Sequence, residues 1–257
     1  MKTYGIIPSR FGSSRFPGKP LAPLAGKPLV AWVVEAVRHA TSLDDVFVAT
    51  DDARIVEAVE RCGGTAVMTP SELPSGTDRI ACAARNRLGG DFGDDDILVN
   101  IQGDEPLIDP ALVDALVAKL ASNPAFDMAT AVTPIRSEAD FEAKTVVKVV
   151  LDRDDAALYF SRAPIPCDRD ARPQFGPGGR GLYVRHLGIY AYRGGFLKHY
   201  IAEPPCPLEQ TEKLEQLRAL WMGAKIAVVR TEDEGVGVDT PEDAERVAEL
   251  LRCRSKV

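Results

Sequence analysis

Through its first half the chain alternates strand-like and helix-like segments, and that alternation restricts the fold more than any other feature. Residues 4 to 8, 46 to 50 and 65 to 69 read as strands, and Pro28 to about Ala40 and Ala53 to Arg61 read as helices. A helix between each strand and the next predicts a parallel sheet, hence an α/β fold of the open, Rossmann-like kind. Leu29, Trp32, Val33, Ala36 and Val37 recur at helical spacing as the face that packs on such a sheet, and Pro28 suits a first helical turn. Thr77 or Asp78 is expected to cap a further helix running to about Leu88. Asp96 to Ile101 then reads as a buried strand, and Asp109-Pro110 opens another helix.

From about Met128 the texture changes. Extended runs at 128 to 135, 146 to 151, 159 to 166 and 182 to 192 are separated by turns, which predicts a mixed or antiparallel extension of the sheet. The stretch from Cys167 to Gly181, rich in Asp, Arg, Pro and Gly, reads as a loop able to act as a lid. Leu208 to Met222 is expected to be one helix, Lys225 to Arg230 a strand, and Pro241 to Arg252 a helix capped by Thr240. The division expected is a core of residues 1–130 and 224–257, with residues 131–223 inserted.

The loop after the first strand reverses the global charge balance. The protein carries net charge -7, yet Ser9 to Pro20 holds Arg10, Arg15 and Lys19, with hydroxyls at Ser13 and Ser14 and glycines at 12 and 18. Glycines allow main-chain amides to approach an anion, and loops at the carboxyl ends of parallel strands are where open sheets bind ligands. A solvated surface loop is the plainer reading of such composition, and its position argues for a polyphosphate site. Neither the Walker spacing nor G-x-G-x-x-G is present.

With 257 residues, 45% of them hydrophobic, the chain can bury a substantial core. It has no apolar run of membrane-spanning length and no signal-peptide pattern, so no membrane partner and a cytoplasmic location are expected. Five scattered cysteines without zinc spacing read as reduced thiols. A sequence pI near 5.1 and the absence of an aromatic-basic face argue against a nucleic-acid partner. Three histidines without a triad order or H-E-x-x-H weaken hydrolase readings.

Candidate chemistry gathers at strand ends. Gln102-Gly103-Asp104-Glu105-Pro106 follows a central strand, which aims Asp104 at the ligand crevice. A carboxylate about 4 Å from a phosphate charge is repelled by about 4 kcal/mol at effective dielectric 20, so the pairing implies a bridging divalent cation, magnesium by preference. Asp239, just before the last helix, is the second candidate ligand; helix capping for Asp239 and turn formation for Asp104 are the competing readings. The Ser75-Gly76-Thr77-Asp78-Arg79 turn suits a base edge or ribose, or a cap followed by a solvated arginine. His186, Gly188 and Tyr190 alternate along one strand face, which suits a polyhydroxyl ligand.

These segments together resemble the 3-deoxy-manno-octulosonate (Kdo) cytidylyltransferases over nearly the whole chain. The resemblance is carried by I-I-P-S-R-F-G-S-S-R-F-P-G-K-P-L at 6 to 21, S-G-T-D-R at 75 to 79, V-N-I-Q-G-D-E-P at 99 to 106, Y-F-S-R-A-P-I-P at 159 to 166, R-H-L-G-I-Y-A-Y at 185 to 192, L-E-Q-L-R-A-L-W at 214 to 221 and G-V-D-T-P-E-D at 237 to 243. Sialate cytidylyltransferases read K-N where this chain has Lys19-Pro20, and the G-G-x-G-T-R loop of hexose-1-phosphate nucleotidyltransferases is absent. The resemblance implies magnesium-dependent transfer of CMP from CTP to the anomeric hydroxyl of Kdo, giving CMP-Kdo and pyrophosphate for lipopolysaccharide biosynthesis. It implies catalytic roles for Arg10, Lys19, Asp104 and Asp239, with Asp104 and Asp239 as metal ligands. Arg10, Ser13, Arg15, Lys19, Ser75, Thr77, Arg79 and Asp104 fall on nucleotide-binding positions. Gln102, Arg162, His186, Tyr190, Glu215 and Gln216 fall on sugar-binding positions, with Arg162 or a neighbour meeting the sugar carboxylate. A sugar-binding insertion and a homodimer are also implied. A cytidylyltransferase for another acid sugar, such as the 8-amino analogue or a sialate, and a non-catalytic nucleotide sensor are the competing functions.

Overall fold

The computed structural model describes residues 1–12, 16–171, 173–175 and 181–254. Along the chain run β1 (Thr3–Pro8), β2 (Pro23–Leu24), β3 (Lys27–Pro28), α1 (Leu29–Val37), β4 (Asp45–Thr50), α2 (Ala53–Arg61), β5 (Ala66–Met68), α3 (Gly76–Leu88), β6 (Ile97–Asn100) and α4 (Pro110–Ser122). They are followed by β7 (Met128–Pro134), α5 (Glu138–Glu142), β8 (Lys148–Leu151), β9 (Ala157–Ser161), β10 (Val184–Arg193), α6 (Gly194–Ala202), α7 (Pro207–Glu212), α8 (Gln216–Trp221), β11 (Ile226–Arg230) and α9 (Pro241–Arg254).

The chain divides into two compact units, Met1–Asp114 with Gly235–Val257, and Ala115–Glu234. These bounds differ from the division at 130/131 and 223/224 read from texture. Parallel pairing of Ile226–Arg230 with Met128–Val132 draws both β7 and β11 into the second unit.

In the first unit β1 pairs in parallel with both β4 and β6, and β4 pairs in parallel with β5. The chain therefore builds outward from β1 through β4 and β5, then returns to β1's other side with β6. That reversal is a topological switch point, and the crevice at the carboxyl ends of β1 and β6 is where such sheets take ligands. Leu29, Val30, Val33, Val34 and Val37 of α1 are all buried, each contributing roughly 1.5–3 kcal/mol of transfer free energy. Helix α1 starts one residue later than expected, with Pro28 as its N-cap, and ends at Val37. The cap of α3 is Ser75, not Thr77 or Asp78, because the Ser75 hydroxyl accepts the Asp78 amide at 3.1 Å.

In the second unit β7 pairs antiparallel with β10, β10 with β8, and β8 with β9. The expected mixed sheet is present, although β9 stops at Ser161 and α6 follows β10 without a break. The single helix expected over 208–222 is two. Lys213 takes a left-handed conformation (φ 54°) that ends α7, and the chain restarts as α8. A buried ion pair holds the two together: the Arg218 guanidinium forks onto both Glu209 oxygens at 2.7 and 2.6 Å, under the Tyr200 ring at 4.7 Å. Lys148, wholly buried, donates instead to three carbonyls, those of Ala143, Val146 and Arg162, and desolvation lowers its pKa.

The α7–α8 corner should thus depend on Glu209. Glu209→Ala leaves a buried guanidinium without its counter-charge, and we expect a loss of about 3–5 kcal/mol by urea unfolding. A loss below about 1 kcal/mol would rank the pair with exposed ones.

Candidate active site

Three segments remote in sequence converge beside the switch point. Lys19 begins a single 3-10 turn (Lys19–Leu21) after the basic loop, Asp104 follows β6, and Asp239 precedes α9. One apolar cluster fixes all three, since Leu24, Leu107 and Val238 pack together with Leu29, Val247 and Leu251. The main chains are also tied, with the Val238 amide donating to the Asp104 carbonyl at 2.9 Å. Gly103 lies so close to β1 that a Cβ there would come within 2.6 Å of the Pro8 carbonyl oxygen. A side chain at 103 would push the Asp104 turn off the strand end.

The result is a charge cluster. The Lys19 ammonium donates to Asp104 Oδ2 at 2.6 Å and to Asp239 Oδ1 at 3.2 Å. Lys19 is largely enclosed, whereas the Asp239 side chain is 50% exposed, so the carboxylates keep an open side. Asp239 is not the cap of α9. Thr240 takes that place, its hydroxyl accepting the Asp243 amide at 3.2 Å.

Both carboxylates face one point at which a cation already sits, and their donors are hard oxygens, so the pair fits a magnesium ion. Among the described residues no group of three or more His, Cys, Asp or Glu side chains could hold a metal by itself. An ion here would need oxygen ligands from phosphate or water as well.

The remaining nucleotide candidates separate. Arg10 is exposed on the loop, and Ser13 and Arg15 lie outside the described residues. Ser75 caps α3 and donates to the Asp78 carboxylate at 2.5 Å, and Thr77 is buried in its first turn. Arg79 is only 2% exposed, and its guanidinium is committed to Thr69 Oγ1 at 2.5 Å and Asp51 Oδ2 at 3.3 Å. The solvated arginine weighed for this turn is therefore a buried one.

The sugar candidates of the second unit form their own group. Rings of His186 and Tyr190 lie 5.3 Å apart, and the Tyr190 hydroxyl donates to Gln216 Oε1 at 3.2 Å. Among the described residues Gln216 Nε2, which is buried, has no hydrogen-bond partner. His186 Nε2 meets Thr130 Oγ1 at 2.9 Å, and that hydroxyl has its own proton on the Ile189 carbonyl at 2.8 Å. With that proton on a carbonyl, Nε2 carries the imidazole proton and Nδ1 is the acceptor. Enclosure by Phe160 and Tyr190 lowers the His186 pKa to about 3, so the ring is neutral. A register shift in β10 between Leu187 and Tyr190 replaces the simple alternation read from sequence.

Arg162 directs Nε, Nη1 and Nη2 at the carbonyls of Glu212, Lys144 and Lys213. Glu215, exposed at the start of α8, has its carbonyl fixed by the Tyr200 hydroxyl at 2.9 Å. Gln102 belongs to the first unit, on the turn that carries Asp104. Sequence reasoning missed Asp51 and Thr130, which orient other groups. Asp51 offered the same signal as Asp104, an aspartate at the carboxyl end of a parallel strand.

The chain is similar to known proteins in both sequence and structure. Residues 4–226 match the cytidylyltransferase family. The 3-deoxy-manno-octulosonate cytidylyltransferase of Geobacter sulfurreducens is 48% identical over 98% of this chain and 100% of its own length. That of Pseudomonas syringae pv. tomato is 50% identical over 96% of this chain and 97% of its own. A solved structure of CMP:2-keto-3-deoxy-manno-octonic acid synthetase complexed with CTP superposes with a TM-score of 0.89 at 40% identity, covering 99% of this chain and 100% of that one. Likeness at this level over the full length, in a chain whose strand ends bring Lys19, Asp104 and Asp239 together, leaves one conclusion: the chain belongs to the 3-deoxy-manno-octulosonate cytidylyltransferase family.

Proposed function

We propose that this protein transfers CMP from CTP to the anomeric hydroxyl of Kdo, releasing pyrophosphate, and so supplies an activated acid sugar for lipopolysaccharide biosynthesis. The observation that carries the reading is the meeting of Lys19, Asp104 and Asp239 at the carboxyl end of β1 and β6. In the reaction the sugar hydroxyl oxygen bonds to the α-phosphorus, the bond from that phosphorus to the β-phosphate oxygen breaks, and the hydroxyl proton passes to solvent. An anionic sugar must approach a triphosphate of roughly four negative charges, so positioning and charge neutralisation dominate the barrier.

Each group then has a task. Arg10 and Lys19 hold the triphosphate as fixed cations whose charge persists as pyrophosphate departs. Asp104 and Asp239 orient the Lys19 ammonium and would hold magnesium. When bound, that ion neutralises phosphate charge and lowers the pKa of a coordinated hydroxyl. In the second unit, His186 Nδ1 accepts a sugar hydroxyl and the free Gln216 amide donates to one. A neutral imidazole adds no charge to either task.

Cytoplasmic location follows from a soluble nucleotide substrate, and among the described residues no helix is long and apolar enough to cross a membrane. Exposed Leu158 and Trp221, on β9 and α8 of the second unit, support a homodimer formed through that unit.

Three outcomes test this reading. Pyrophosphate release should require CTP, Kdo and magnesium together; turnover with a sialate or 8-amino-Kdo but not Kdo would replace the substrate, and CTP binding without turnover on any sugar would make the chain a sensor. Asp104→Asn should lower kcat by orders of magnitude with an unchanged circular-dichroism spectrum, and near-normal kcat would remove Asp104 from catalysis. The third concerns pH. Because the folded His186 pKa of about 3 lies below the ordinary value of 6.5, the unfolded chain binds the proton first, and stability is lost as pH falls from about 6.5 toward 3. His186→Gln should flatten that loss, by up to about 1.4 kcal/mol per pH unit in the unfolding free energy from urea titrations. An identical acid slope in the variant would show that the imidazole is not held neutral.

A further inference from the structure

We propose that Asp51 is a positioning residue for nucleotide binding: its carboxylate anchors the main chain of the basic loop at Phe11. The inference rests on the CTP reading above. Asp51 follows β4, and its side chain is 12% exposed. Its oxygens serve two different partners, Oδ1 accepting the Phe11 amide at 3.2 Å and Oδ2 the Arg79 guanidinium at 3.3 Å. Arg79 is held in turn by Thr69, whose hydroxyl donates to the Thr50 carbonyl at 3.1 Å. The ends of β4 and β5 and the first turn of α3 are thereby cross-linked, and the loop is hung from that frame.

Phe11 is the node at which the loop is gripped. Its amide goes to Asp51, its carbonyl accepts the Gly18 amide at 3.2 Å, and its ring lies under the Arg54 guanidinium at 3.6 Å. Gly18 is left-handed (φ 72°), and a Cβ there would meet the Phe11 ring at 3.2 Å, so the closure needs glycine. Arg10 precedes the node and Lys19 follows its Gly18 contact, so these two cations depend on where Phe11 is held. Asp51 need not touch the nucleotide to act on its binding. Arg54 does not compete for this carboxylate, because Asp52 takes its Nε and Nη2 at 2.9 and 2.6 Å.

Two double variants separate the anchor from the ion pair. Asp51→Asn/Arg79→Met and Asp51→Leu/Arg79→Met both delete the two charges together, a change that buried pairs tolerate. Only the first keeps an oxygen for the Phe11 amide. We expect the CTP KM to be about fivefold higher in the Leu variant than in the Asn variant, the worth of one hydrogen bond, with the Kdo KM equal in the two. Trypsin should also cut the Arg10–Phe11 bond faster in the Leu variant, read by mass spectrometry. Equal CTP KM and equal cleavage in the two variants would overturn the proposal. Cleavage needs no turnover, so a chain inactive toward CTP would count against the assigned activity while trypsin still decided the anchor.

Discussion

Two carboxylates and an ammonium meet here because a small apolar cluster makes them. Leu24 lies five residues after Lys19, Leu107 three after Asp104, and Val238 immediately before Asp239, and these three side chains pack in one cluster with α1 and α9. Burying them is favourable whatever the charges do, by roughly 1.5–3 kcal/mol for each large side chain. The polar groups are then carried to the sheet edge on segments that cannot move apart without opening the core. Gly103 and the Val238–Asp104 main-chain bond complete the restraint at the shortest range.

That mechanical origin bears on the electrostatics. Two carboxylates forced into proximity repel unless a cation lies between them, and Lys19 supplies one while only 15% exposed. An ammonium is a compact point charge on a flexible stem, able to turn from the carboxylates to an arriving phosphate as a rigid guanidinium is not. A triphosphate competing for Lys19 would leave Asp104 and Asp239 facing each other with an unmet demand for positive charge. A divalent ion bound with the nucleotide would answer that demand, so under the proposed function the constraint that builds the cluster would also couple the two binding events.

What could be read in the sequence followed how local the signal was. The alternation of periods gave away the parallel strands, and strand ends gave away Asp104 and the basic loop, because ligand crevices lie at the carboxyl ends of such strands. The break at Lys213 was invisible, since the apolar pattern of 208 to 222 continues through it and the segment holds no glycine or proline to announce a left-handed turn. Arg79 shows the same limit. A basic residue on an exposed-looking turn reads as free until the fold brings Asp51 and Thr69 to it from β4 and β5. The polar cap of α3 falls two or three residues before the expected Thr77 or Asp78, as competing Ser, Thr and Asp in one turn make inevitable without geometry.

Buried cations in this fold are met in two ways, by carboxylates or by main-chain carbonyls. Arg79 in the first unit and Arg218 in the second are matched by the Asp51 and Glu209 carboxylates, so each pair adds little net charge to its surroundings. Also in the second unit, the buried Lys148 and the partly buried Arg162 are stabilised by main-chain carbonyls, three each, and the nearby Glu212 carboxylate accepts the Ser161 hydroxyl and the Arg162 amide, not the guanidinium. Carbonyl dipoles satisfy the hydrogen bonds of a cation without cancelling its charge. Glu142 and Glu212 act on Lys148 through space and oppose Arg162, so the charge that the carbonyls leave intact is balanced at longer range by carboxylates.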